Sequence, residues 1–260
     1  VLPHDFPSAP EIADAGQTLS SFETGLIGLW GLGLTPDGLW LGSLLPAGGN
    51  GLNLRYVNGQ PTDDQMDTSF AGEWAADMAY NPRTGMIWQI GVGSNDCIYE
   101  LNPATRTPTG RSLCPGFGIS QRGLAYDPIS DTFYASSWND AILYHFDSRG
   151  QMLDSRNIQL DVSGLAFNPD SGLLYALQNV PGDVYDIYVL DPGNNYAIVG
   201  AFNVPDLLDY GQGALDLSCD GSLWLTDRLS NTVYQVSSGE SHACTYAEVG
   251  WLNVTPSSGS

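Results

Sequence analysis

The stretch Gly123–Asp147, GLAYDPISDTFYASSWNDAILYHFD, constrains the whole chain because the chain repeats it with variations. Apolar and polar residues alternate in period two, interrupted at Asp127-Pro128 and at Asn139-Asp140, so the stretch reads as three short antiparallel strands joined by tight turns. A unit of that size has no means of burying both faces alone and must stack on copies of itself.

The copies align on their first turns: Thr35-Pro36-Asp37-Gly38, Asn81-Pro82-Arg83-Thr84-Gly85, Asp127-Pro128-Ile129-Ser130, Asn168-Pro169-Asp170-Ser171-Gly172 and Ser218-Cys219-Asp220-Gly221. Subtracting successive Pro (or Cys219) positions gives spacings of 46, 46, 41 and 50, the period of a four-stranded propeller blade. The second strands then align on Trp40, Trp88, Tyr134, Tyr175 and Trp224, an aromatic column expected to pack between neighbouring blades. Third strands align as Leu54 to Asn58, Ile98 to Asn102, Leu143 to Asp147, Ile187 to Asp191 and Val233 to Ser237.

The expectation is an all-β, five-bladed propeller of four-stranded antiparallel blades over residues 16–250. Residues 1–15 form an extended lead-in, and 251–260 form a tail or the beginning of a next domain. Because GQTLSSF at Gly16 matches GQMLDSR at Gly150, which follows a third strand, Gly16–Glu23 is expected to supply the missing outer strand of the last blade and close the ring.

The innermost strands carry a further regularity. Gly33, Ala79, Ala125 and Ala166 share one parity, as expected where strands converge on a ring axis. Asp216 breaks this rule in the last repeat, and Asp77 breaks it one step earlier, where the other repeats have Gly31, Gly123, Gly164 and Ala214. A carboxylate near the axis must be hydrated, hydrogen-bonded or paired. Asp77 and Asp216 are therefore either satisfied structural acids or candidate ligands for a cation, calcium above all, or for a substrate.

Net charge is −21, with eight basic residues, all of them Arg, against 29 acids, so nucleic acid and anionic lipid are disfavoured partners. Most acids are Asp set among Gly, Asn and Pro, where they serve turns. No apolar run is long enough to insert in a membrane, and the start at Val1 fits a mature or excised piece. Four cysteines with no C-x-x-C spacing speak against zinc. Cys97 with Cys114, and Cys219 with Cys244, would each close a loop within one repeat, which points to an extracellular setting.

The units GLAYDP…DTFYASSWNDAILYHFD and GLAFNPDSGLLYALQNVPGDVYDIYVLD resemble the NHL, YVTN and virginiamycin-B-lyase-like class of bacterial propeller repeats, over residues 30 to about 237. The terminal WLNVTPSSG resembles the opening of Ig-like sandwich repeats strung along large bacterial surface and secreted proteins. These resemblances imply one module of a longer secreted or cell-surface protein, a peptidase or carbohydrate-active enzyme among the candidates, with neighbouring domains as partners.

No catalytic motif stands out. The three histidines, His4, His145 and His242, avoid the inner-strand ends where a lyase of that class would need one, and no G-x-S-x-G elbow is present. Asp77 and Asp216 could be cast as a glycosidase pair, but no third acid lies in register. The alternative is a binding surface where the loops entering the first strands gather with those between second and third strands. They supply Trp30, Glu73, Trp74, Arg122, Trp138, Asn139, Asp140, Asp183, Asp227 and Arg228. Of these, Trp74, Arg122, Trp138, Asp227 and Arg228 are the candidates for holding a carbohydrate or protein ligand. A rigid spacer with no ligand is the third reading.

Overall fold

The computed structural model describes residues 9–44, 50–68, 74–93, 96–179, 185–207, 212–241 and 243–244. They form five sheets of four antiparallel strands. Blade 1 holds β2 (Leu32–Thr35), β3 (Gly38–Leu44), β4 (Asn50–Arg55) and β5 (Pro61–Asp67). Blade 2 holds β6 (Trp74–Asn81), β7 (Met86–Val92), β8 (Ile98–Asn102) and β9 (Thr107–Leu113). Blade 3 holds β10 (Gly123–Asp127), β11 (Thr132–Ser136), β12 (Ile142–Asp147) and β13 (Met152–Asn157). In blade 4, β14 (Val162–Asn168), β15 (Leu173–Gln178) and β16 (Ile187–Asp191) lead through a 3-10 turn at Pro192–Asn194 into β17 (Ala197–Phe202).

Blade 5 contains β18 (Leu215–Leu217), β19 (Ser222–Asp227) and β20 (Thr232–Ser237), and its outer strand is β1 (Thr18–Glu23) from the other end of the chain. The pairing Phe22↔Val233 and its neighbours fasten the ring as the repeat text implied. Before reaching β1 the lead-in is strapped along blade 4: the Ile12 N–H donates to Ala201 O at 3.1 Å, and Ala201 N–H donates to Pro10 O at 2.9 Å.

One strand differs from expectation. The third strand of blade 1 ends at Arg55 instead of running from Leu54 to Asn58, because Tyr56–Gly59 turn back on themselves. The Gly59 N–H donates to Tyr56 O at 2.8 Å, with Gly59 at φ +81°.

The five seams between blades are the core. Trp40 packs with Met78 and Ile87 of blade 2, Trp88 with Phe133 and Phe146 of blade 3, and Tyr134 with Leu165 and Leu174 of blade 4. Tyr175 packs with Leu215 and Leu223 of blade 5, and Trp224 with Leu32 and Leu41 of blade 1, so the aromatic column joins every pair of neighbours. All five rings are at least 96% buried, and burying side chains of this size contributes roughly 2–3 kcal/mol each.

Small residues near the axis answer to space. A Cβ on Gly31 would lie 2.2 Å from Ala76 O, and one on Gly164 would lie 2.6 Å from Leu215 N. The acid-rich turns likewise follow their expected chemistry: Asn81 Oδ1 accepts from Arg83 N–H at 2.9 Å, and Asp127 Oδ1 from Ile129 N–H at 2.8 Å. Both cystine pairs form as expected, Cys97–Cys114 and Cys219–Cys244.

Candidate functional site

Asp77 lies at the axis, two residues before Ala79 and on the small-residue parity of the inner strands. Its carboxylate is fully buried and accepts from three other blades: Leu124 N–H at 3.1 Å and Leu165 N–H at 3.0 Å on Oδ2, and Leu215 N–H at 3.4 Å on Oδ1. Burial pushes this carboxyl well above the usual carboxylate range, the N–H groups of Leu165, Leu124 and Met78 draw it back, and the nearby Asp216 charge pushes it up again. Converging N–H dipoles form a seat for an anion, and Asp77 fills it.

One layer further along the axis, Asp216 Oδ2 accepts from Leu34 N–H at 2.7 Å and Oδ1 from Leu217 N–H at 2.8 Å. It is only partly exposed, and burial raises its pKa to about 7 against the pull of those two N–H groups. Asp216 stands on the floor of a funnel of about 400 Å3. The wall takes one residue from each blade: Leu34, Tyr80, Tyr126, Phe167 and Leu217. The rim is the ring of first turns, with Pro36, Pro82, Pro128, Pro169 and Cys219, and it is completed by Ala243 and Cys244 of the segment that the second disulfide ties down.

Along an antiparallel pair, N–H and C=O groups point alternately toward and away from the partner strand. Leu124 and Leu165 point theirs at the axis, so those of Tyr126 and Phe167, two residues on, face the funnel floor as well. The wall phenols stay neutral: burial raises Tyr80, with Asp37 adding to it, and burial together with a 2.7 Å hydrogen bond to Asp131 raises Tyr126.

On the opposite face the described tryptophans and two arginines pile on one another. Arg122 lies over the Trp138 ring at 4.8 Å, and Trp138 stacks on Trp30 at 5.9 Å. Trp30 meets Trp74 edge-on at 5.8 Å, and Arg228 lies over Trp74 at 4.8 Å. These residues come from blades 1, 2, 3 and 5, so the pile crosses the ring. Trp30, at its centre, is 3% exposed, while Trp74, Trp138, Arg122 and Arg228 are half-buried. The arginines are further held by backbone and side-chain oxygens, Arg122 by Ser120 O and Arg228 by Gln212 Oε1.

The structure thus brings together four of the five ligand-holding candidates, and they contact one another. The fifth, Asp227, is buried with its carboxylate in its own turn, accepting from Leu229 N–H at 2.8 Å and Ser230 Oγ at 2.5 Å. Asp140 accepts from the Tyr144 hydroxyl at 3.0 Å, and Asn139 beside it is exposed. Glu73, Asp183, His4, His242 and the Ig-like match at 251–259 lie outside the described residues. His145 sits in the blade 3–4 seam, stacked on Tyr134 at 4.4 Å.

Among the described residues no three His, Cys, Asp or Glu side chains come together as a metal-ligand set, and Asp77 already faces N–H donors, which oppose a cation. Asp216 retains free valence toward the funnel. Sequence reasoning singled out Asp216 but missed Tyr80, Tyr126 and Phe167. The signal was present, since aromatics replace Leu34 and Leu217 in the three middle repeats, directly before the aligned turns.

The fold is a five-bladed β-propeller with a funnel at one end of its axis. Among solved structures it is similar to a chain of the nidogen/laminin complex, with TM-score 0.51 and 16% identity over 80% of this chain and 79% of that one. It is also similar to hydrazine synthase of Kuenenia stuttgartiensis, with TM-score 0.50 and 13% identity over 79% of this chain and 57% of that one. No protein-family model and no curated protein sequence matches the chain.

Proposed function

We propose that this propeller is a non-catalytic ligand-binding module of a larger secreted or cell-surface protein, and that its ligand docks on the funnel face. The observation that carries this reading is the funnel itself: a concavity of about 400 Å3, apolar-walled, lined from every blade, with a single carboxyl, that of Asp216, among its described lining residues. That combination of apolar walls and few polar groups suits recognition.

Catalysis by an acid pair is disfavoured, because Asp77 is sealed from solvent and occupied by backbone donors, which leaves Asp216 alone. A protein ligand is preferred over a carbohydrate, since the similar propeller comes from the nidogen/laminin complex. The two disulfides and the likeness of the repeats to NHL, YVTN and virginiamycin-B-lyase-like sequences favour an extracellular, bacterial setting.

Calorimetric titration against peptide and glycan panels, with wild type beside Tyr80→Ala and Phe167→Ala, tests the proposal. Binding that is lost in folded funnel variants supports it. Binding that survives those changes and is lost in Trp74→Ala or Trp138→Ala moves the ligand to the opposite face. Silence on both panels leaves the rigid spacer.

A further inference from the structure

Among the described residues that line the funnel, Asp216 is the one acid and there is no base, and the walls around it are aromatic and aliphatic. Beneath it Asp77 places a second carboxyl on the same axis, and the chain as a whole bears a net charge of −21. Ionised Asp216 lowers the potential at the floor, the acidic chain around it adds to that, and none of the described lining side chains offsets it.

The remaining valence of Asp216 narrows the kind of cation. One of its oxygens already accepts from Leu34 N–H and the other from Leu217 N–H, so a planar, two-pronged guanidinium would compete with a backbone donor at each oxygen. A compact ammonium needs one lone pair from the acid. Its other protons can go to backbone carbonyls, which face the axis from the same residues whose N–H groups do. The ring surfaces of Tyr80 and Phe167, both half-exposed in the wall and with one face of Phe167 stacked on Tyr134 at 5.6 Å, suit the positive charge of such a group and the alkyl stem behind it.

We propose that the funnel binds an alkylammonium group, presented by a lysine side chain of the protein ligand or by a free amine, with Asp216 as its counter-ion and the Tyr80 and Phe167 rings flanking its stem. This rests on the funnel being the ligand site.

The test uses N-acetyl-lysine methylamide, its neutral isostere N-acetyl-norleucine methylamide, a lysine-containing peptide, n-butylamine and calcium chloride. Each is titrated separately at about pH 8 into the whole chain and into Asp216→Asn, followed by amide NMR. The expected result is saturable shifts of the funnel amides with the lysine probe, weakened roughly tenfold or more both by Asp216→Asn and by the norleucine replacement. A peptide that binds more tightly than n-butylamine assigns the source to a protein, and the reverse assigns it to a free amine; either supports the ammonium site. If norleucine binds as well as lysine, the ammonium proposal is overturned and the funnel stands as an apolar site. If calcium alone reproduces the shifts, the acid is a metal ligand and the proposal is overturned. If neither lysine nor norleucine nor amine moves any funnel amide, the proposal and the docking face fail together. The norleucine comparison is made in wild type, so the result does not depend on the variant folding.

Discussion

The two ends of the ring axis are built from the same five blades and finish in opposite ways. At one end Arg122, Trp138, Trp30, Trp74 and Arg228 lie ring on ring, with each guanidinium over an indole, crossing from blade to blade. At the other end the wall aromatics stand around an opening, and the acid on the floor keeps part of its capacity unused. Between them Asp77 converts three inward-pointing N–H groups into a bolt. An aromatic residue beside a charge is therefore no guide to binding by itself. What matters is whether the group has already found its partner inside the fold.

The sharpest way to break this contrast is to exchange the roles of the two axial acids. Asp77→Ala should cost about 3–5 kcal/mol in denaturant unfolding, since it strands several buried donors in one place. Asp216→Asn should cost less than about 1 kcal/mol, because an amide oxygen can still accept from Leu34 or Leu217. Equal losses at the two positions would remove the distinction between bolt and floor.

Trp30→Ala comes next, with an expected loss of about 3–5 kcal/mol from the cavity and the broken pile, and with the funnel's ligand affinity unchanged. Replacing Cys219 and Cys244 together by Ser frees a 25-residue loop and the funnel rim, at a cost of about 3 kcal/mol, and should weaken funnel binding as well. Thermal unfolding and titration of the same samples separate these two outcomes.

A further effect is on pH. The folded-state pKa of Asp216 is raised from 3.8 to about 7, so the folded protein holds this proton more tightly than the unfolded chain. The associated stability is fully present below about pH 4 and is lost as pH rises through about 7. Asp77 is shifted in the same direction and extends the slope. Urea midpoints measured across this range should fall with rising pH, and Asp216→Asn should flatten the fall.

Much of the ring was legible in the sequence, and the reason is physical: each blade repeats the same local problem. Turn residues such as Asn81, Asp127 and Asn168 hydrogen-bond to their own turns, and the aromatic column marks each seam. The site was less legible because it exists only once the ring closes. Asp77 was recognisable as a departure from its siblings, but its donors lie 47, 88 and 138 residues away. Trp30, Trp74 and Trp138 were assigned to one face, yet nothing local reveals that a five-bladed ring is narrow enough for them to meet. The turns that aligned the repeats read as punctuation, and their convergence into a rim is a property of all five at once.

The most direct test of the contrast between the two ends is an NMR titration of the whole chain with a ligand from the peptide or amine series, reading two sets of signals at once. The expected result is movement of the Tyr80, Tyr126, Phe167 and Leu217 amides with the indole N–H signals of Trp30, Trp74 and Trp138 unmoved. Movement of the indole signals with the funnel amides silent would contradict the account and place recognition on the face of the piled tryptophans.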